Sequence, residues 1–297
     1  MAKTALTFDL KDMIGKDVRK EMELDKLPTH IIEKRVTDLM SLKGKKAIVT
    51  GAGGPGLGQA CANRLAGLGA DVALVDLNAE RLESNTKEVI KRWGTKAFAV
   101  PANCTDWDDV HRFMRECHDK LGGIDILINN VGGSGGPRTF ESQTKEHLDK
   151  TIGMTLISTV YCTRAVLDYM IPQRSGRIVN IASGAGFGPS PHVAAYGACK
   201  AGVINLTQSL SAEVGRYGIY VNGVAPGLML HTDTLDKMKT VTEENLGLFE
   251  IVLSGKAKFH LGRSSLPEEV ANAVAFLASD AASYISGTTI SCSPGMG

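Results

Sequence analysis

Little in this 297-residue chain points to a charged partner. Its 33 lysines and arginines nearly cancel 32 aspartates and glutamates, leaving a net charge of +1. That balance gives no electrostatic case for nucleic acid or an anionic membrane surface, and no nucleic-acid recognition motif occurs. The six cysteines stand singly, at 61, 104, 117, 162, 199 and 292, with no Cys-x-x-Cys pair and no metal-ligand spacing. No metal site is expected, and the thiols read as buried groups in a reducing cytoplasm. The first residues lack an apolar h-region, so secretion is not expected. Residues 178–199 carry no formal charge, yet glycines, prolines and serines interrupt them, so they do not read as a membrane span. Internal repeats and low-complexity linkers are absent as well. With 43% apolar and 22% charged residues, the composition fits one globular domain with a sizeable core.

What is present is an alternation. Apolar runs suited to strands lie at 46–50, 71–75, 96–100, 124–128, 177–182, 219–224 and 288–292. Helical patterns fall between them, near 57–69, 78–93, 106–121, 144–171, 195–217 and 267–279. Such spacing predicts an α/β fold with a parallel sheet covered by helices on both faces. Residues 1–41 precede the first strand and mix acidic with basic side chains. Ile32, Val36, Leu39 and Met40 fall on one helical face there. The segment reads as a helical arm docked on the body or on a neighbouring subunit, with a disordered tail as the alternative.

The chemistry starts at the first strand. Lys46-Ala-Ile-Val-Thr50 is followed by Gly51-Ala-Gly53-Gly54-Pro55-Gly56-Leu57-Gly58 and then a helix. Strand, glycine turn and helix form a phosphate cradle. Glycines permit close backbone approach, and the helix N-terminus offers unpaired N–H groups to a pyrophosphate. The next strand ends at Asp76, 18 residues after Gly58, close to the spacing of a carboxylate that binds an adenosine ribose. Asp76 would repel a 2′-phosphate, the glycine turn holds no Lys or Arg, and Leu77-Asn78 are neutral. NAD is therefore favoured over NADP.

A second group lies further on. Ser183 closes the run Ile178-Val-Asn-Ile-Ala182, and Tyr196-x-x-x-Lys200 begins 13 residues later. A tyrosine and a lysine four apart share a helix face. A phenol with a pKa of about 10 is a poor base at neutral pH, and a neighbouring cation favours the phenolate. With a serine hydroxyl to hold a substrate oxygen, the set suits acid–base chemistry on an alcohol or a carbonyl. The plainer alternatives are an amphipathic helix and a strand-end serine bonded to backbone.

Taken together, Thr50-Gly51…Gly56-x-Gly58, Asn129-Asn130-Val131-Gly132, Ser183, Tyr196-x-x-x-Lys200, Pro226-Gly227 and Gly262-Arg263…Pro267-Glu268-Glu269-Val270-Ala271 resemble a short-chain dehydrogenase/reductase of the classical type. The resemblance runs from about Leu42 to the C-terminus. It implies a single Rossmann-type, doubly wound sheet over 42–297, a homodimer or homotetramer built on the helices at 144–171 and 195–217, and a substrate lid at about 228–262. By the same resemblance, the cofactor would meet Gly51, Gly54, Pro55, Gly56, Leu57, Gly58, Asp76, Leu77, Asn103, Cys104, Asn130, Val131, Gly132, Tyr196, Lys200, Pro226, Gly227 and Thr232. Tyr196 would be the general base or acid, Lys200 would lower its pKa and bond the nicotinamide ribose, and Ser183 would orient the substrate oxygen. Gly184, His192, Leu228 and His231 are candidates for substrate contact.

Three departures from the family pattern stand out. The glycine turn is one residue longer than the common Thr-Gly-x-x-x-Gly-x-Gly, with Pro55 inside it. Thr155 occupies the place of an asparagine that in relatives holds a water linking the lysine to solvent, and its hydroxyl is expected to hold one too. His231 falls where a threonine is usual, with Thr232 one position later. The function implied is NAD(H)-dependent interconversion of a secondary alcohol and a ketone. A catalytically weak NAD-binding scaffold subunit, or an epimerase or dehydratase on the same scaffold, is the alternative.

Overall fold

The computed structural model describes residues 17, 29–229 and 260–293. The chain divides into two units, Met1–Leu39 and Met40–Gly297. In the first, the described elements are a 3-10 turn, Thr29–Ile31, and a four-residue helix, Val36–Leu39.

The second unit alternates strand and helix. It runs β1 (Lys46–Thr50), α1 (Leu57–Gly67), β2 (Asp71–Asp76), α2 (Ala79–Trp93), β3 (Ala97–Pro101), α3 (Trp107–Leu121) and β4 (Ile126–Asn129). It continues with α4 (Lys145–Ile152), α5 (Ser158–Gln173), β5 (Gly176–Ile181), α6 (Ala194–Val214), β6 (Ile219–Pro226), α7 (Pro267–Ala278) and β7 (Thr289–Cys292). The seven strands form one parallel sheet in the order β3-β2-β1-β4-β5-β6-β7. The chain first builds outward from β1 to β3, then crosses to β4 on the other side of β1. A crevice opens where that direction reverses, beyond the carboxyl ends of β1 and β4.

The strands are apolar throughout because both faces are covered. In β1, Ala47 and Val49 pack into the layer of α1, α2 and α7, while Ile48 packs into the layer of α3 and α5. The helices are amphipathic and capped. Asn78 accepts a hydrogen bond from the Arg81 N–H at 3.0 Å and starts α2. Leu82, Thr86 and Val89 form its buried stripe, and Gly94 ends it in the left-handed region (φ 68°). Asp106 caps α3 through the Asp109 N–H at 2.8 Å, and Val110, Phe113, Met114, Cys117 and Leu121 face the sheet.

The helical pattern at 144–171 is not one continuous helix. A π turn, Gly153–Ile157, separates α4 from α5, and the Ser158 hydroxyl donates to the Met154 carbonyl beside it. Gly153 lowers the cost of widening the turn there, and π turns often sit at functional sites. Among the described residues, no helix is long and apolar enough to cross a membrane.

Candidate active site

The glycine turn lies at the switch point, where Thr50 ties its base. The Thr50 hydroxyl donates to the Ile128 carbonyl at 3.2 Å and accepts from the Asn130 N–H at 3.0 Å. The Asn130 amide donates to the Thr50 and Gly51 carbonyls, each at 3.1 Å. At Gly58 a Cβ would stand 2.1 Å from the Gly51 carbonyl oxygen, so only glycine lets α1 start this close to the turn. The α1 N-cap, Gly56, supplies no side-chain hydrogen bond, which leaves the first N–H groups of the helix for an anion. The turn and helix start therefore fit a pyrophosphate.

Asp76 ends β2 beside this cradle. Its carboxylate accepts from the Gly53 N–H at 2.9 Å and the Asn78 N–H at 3.1 Å. It borders a cavity of about 530 Å³ that also reaches Leu77, Asn103, Cys104, Val131 and Met154. The Asn103 side-chain oxygen is engaged by the Thr105 N–H (3.0 Å) and hydroxyl (2.8 Å), so its amide group is left to donate. Cys104 is buried against Cys162.

A smaller cavity, of about 250 Å³, is bordered by Ser183, Tyr196, Lys200, Pro226 and Gly227. The two cavities share Gly51, Gly54, Asn130 and Gly132, so they form one cleft. The Ser183 hydroxyl accepts from the Ala185 N–H at 3.2 Å and caps the short turn Gly184–Gly186. The same hydroxyl faces the Tyr196 phenol and favours its ionised form. The backbone-bonded and substrate-facing readings of this serine are thus compatible. Lys200 is 2% exposed. Its ammonium donates to the Ile181 carbonyl and stands 5.7 Å from the centroid of the Tyr196 ring.

Burial decides the protonation of this pair. It pushes the Lys200 ammonium down from 10.5 to about 8. It raises the Tyr196 phenol above its ordinary value, and the Ser183 hydroxyl pulls back only part of the way. The net shift of the phenol is thus upward, where the family resemblance leads to the expectation that Lys200 draws it down. Desolvation disfavours the phenolate more than the Ser183 hydroxyl favours it, and one of the three Lys200 N–H groups is engaged by Ile181.

Thr155 lies in the π turn, fully buried, and borders neither cavity. Its hydroxyl accepts from the Gly133 N–H at 3.3 Å and donates to the Gly133 carbonyl at 3.2 Å. Both bonds go to the main chain of Gly133, so the hydroxyl proton is engaged there, where the sequence suggests a bound water. Pro55 is exposed and borders neither cavity. Gly184 is buried behind Ser183. His192 is exposed, sits at φ 65°, and its carbonyl accepts from the Arg138 N–H at 2.7 Å. The Leu228 carbonyl accepts from the Ser265 N–H at 3.2 Å. His231, Thr232 and residues 230–259 of the expected lid lie outside the described residues. Several lining residues escaped the sequence reading, among them Asp149, Lys150 and Met154, on α4 and the π turn. Their pattern is that of an ordinary helix. Among the described residues, no cluster of three or more His, Cys, Asp or Glu side chains could hold a metal ion.

The sequence profile of the short chain dehydrogenase family matches residues 45–243. A 3-oxoacyl-[acyl-carrier-protein] reductase FabG of Aquifex aeolicus is 36% identical over 257 residues, which cover 86% of this chain and 99% of that protein. Among solved structures, an NAD⁺-bound xylitol dehydrogenase superposes with a TM-score of 0.77 at 29% identity, covering 86% of this chain and 99% of that one. A 7α-hydroxysteroid dehydrogenase complexed with NADH and 7-oxo glycochenodeoxycholic acid gives 0.78 at 31% identity, over 88% and 97%. The chain belongs to the short-chain dehydrogenase/reductase family. It is an oxidoreductase of that family, which binds nicotinamide cofactors.

Proposed function

We propose that this protein interconverts a secondary alcohol and a ketone with NAD(H), with Tyr196 as general acid and base. One observation carries the proposal: Tyr196, Ser183 and Lys200 border the same cleft that Asp76 flanks at its other end. When bound, the dinucleotide supplies the hydride acceptor or donor. The chain supplies proton transfer, orientation and charge.

In reduction, the Tyr196 hydroxyl donates its proton to the substrate carbonyl oxygen while Ser183 holds that oxygen. In oxidation, the phenolate takes the proton of the alcohol. Burial keeps Tyr196 protonated at neutral pH, so the resting site stands in its acid form. Lys200, with a pKa of about 8, still carries charge at pH 7 and offsets part of the cost of a buried phenolate beside it. Thr155 acts through Gly133. By holding the Gly133 main chain it positions Gly132, where an added Cβ would stand 3.1 Å from the Lys200 nitrogen.

For the cofactor, the Asp76 carboxylate favours a ribose diol and disfavours a 2′-phosphate. NAD⁺ and NADH in two structural relatives agree with that choice. Six free cysteines, five of them buried, suit a reducing compartment, and the reading puts the enzyme in the cytoplasm as an assembly of identical subunits.

The test follows NADH absorbance with a panel of secondary alcohols and ketones. Tyr196→Phe is expected to lower kcat by about a hundredfold or more, with NAD affinity nearly unchanged. A variant that keeps most of its turnover removes Tyr196 from its role. Tight NAD binding with no turnover on any substrate replaces the enzyme with a binding subunit.

A further inference from the structure

The lengthened glycine turn poses a physical problem. An extra residue adds a peptide group to satisfy and backbone freedom to remove, at about 1–2 kcal/mol of conformational entropy per residue fixed. Each carbonyl in the turn is also a hazard to binding. Swung into the cradle, its negative end would face a pyrophosphate. The structure meets this with side chains from three directions. Asn130, from beyond β4, holds the Thr50 and Gly51 carbonyls. Asp76, at the end of β2, holds the Gly53 N–H. Asn85, from α2, donates its amide to the Ala52 carbonyl at 2.7 Å and stands 3.5 Å from the Gly54 carbonyl.

Asn85 is the unassigned member of this set. It is half-buried, beside the stripe of Leu82, Thr86 and Val89, and it caps no helix end. Inside a helix, asparagine is a poorer choice than alanine by roughly 0.5–0.7 kcal/mol. Its amide is spent on a turn more than 30 residues earlier in the chain. Ala52 and Gly54 flank Gly53, whose position against Asp76 is so tight that a Cβ there would meet the carboxylate carbon at 2.7 Å. Asn85 and Asp76 therefore grip the same tripeptide, one by its carbonyls and one by its N–H.

We infer that Asn85 is a positioning residue for the dinucleotide: it turns the carbonyls of the lengthened glycine turn away from the cradle, so that the pyrophosphate meets N–H groups. It touches neither nucleotide nor substrate. The inference rests on the reading of this cleft as the NAD(H) site.

The experiment compares Asn85→Ala and Asn85→Asp with the wild-type protein. NAD and ADP-ribose, which carry the pyrophosphate, are titrated by calorimetry. Adenosine, which lacks it, is titrated by ligand-observed NMR. Asn85→Ala is expected to weaken NAD and ADP-ribose about tenfold, as for one lost hydrogen bond. Asn85→Asp, which keeps the shape and reverses the polarity, is expected to weaken them more. Adenosine affinity stays within about twofold and reports an intact fold, so Asn85→Ala decides the matter if Asn85→Asp does not fold. In turnover, KM for NAD rises while kcat at saturating NAD stays near wild type. Unchanged NAD affinity in Asn85→Ala overturns the inference, and so does a parallel loss of adenosine. A wild-type protein that binds neither NAD nor ADP-ribose sinks the cofactor reading instead.

Discussion

The two ends of the cleft use polar groups in opposite ways. At the glycine turn, Thr50, Asp76, Asn85 and Asn130 each find a backbone partner at ordinary hydrogen-bond distance. These pairs are satisfied before any ligand arrives, and their effect is shape. At the catalytic end, burial displaces both Lys200 and Tyr196 from their ordinary protonation equilibria. That end holds groups in an environment that would discharge them. Binding is organised by satisfied polar groups, and proton chemistry by groups whose charge is held at a cost.

The sharpest way to break this contrast is Lys200→Met. Turnover is expected to fall by about two to four orders of magnitude, while the fold gains stability because a buried ammonium is gone. The pH dependence gives the sign. The folded pKa of about 8 lies below the ordinary 10.5, so between these values the unfolded wild-type chain binds more protons than the folded one. Wild-type stability therefore rises with pH across that window. Lys200→Met is expected to melt higher than wild type at pH 7, with the gap closing between pH 8 and 10.5. A constant gap contradicts the buried-charge account.

At the other end, Gly58→Ala is expected to act on shape alone. The 2.1 Å approach to the Gly51 carbonyl leaves the new methyl no room without moving backbone. A loss of about 1–3 kcal/mol in stability should accompany NAD affinity lowered by more than about tenfold, both read by calorimetry. Wild-type affinity would show that the cradle tolerates a wider turn. The smallest effect belongs to Asp76→Asn. Replacing the carboxylate weakens NAD by about tenfold and narrows the preference over NADP, measured as the ratio of kcat/KM values. An unchanged ratio would free Asp76 from any part in cofactor choice.

These differences also explain what the sequence could reveal. Buried strands are apolar along their whole length, so β1, β2 and β4 were legible as short runs. Asp76 was legible through its distance from a glycine turn. Asn85 was not, because its partner lies in another element and an asparagine on a polar helix looks unremarkable. The direction of the Tyr196 shift was hidden for a related reason. A four-residue spacing brings a lysine near, but desolvation depends on everything packed around the pair. The interruption at Gly153–Ile157 had no periodic signature, since the residues before and after it each keep a helical pattern.

That interruption changes how the flanking helices can be tuned. One surplus residue in a helical turn is a phase slip of about 100°. Before and within the slip, Asp149, Lys150 and Met154 border the larger cavity. Past it, Cys162, Ala165, Val166 and Met170 stack against the sheet. The two faces are thereby decoupled: the wall that borders the cleft can be altered residue by residue while the packing register downstream stays fixed.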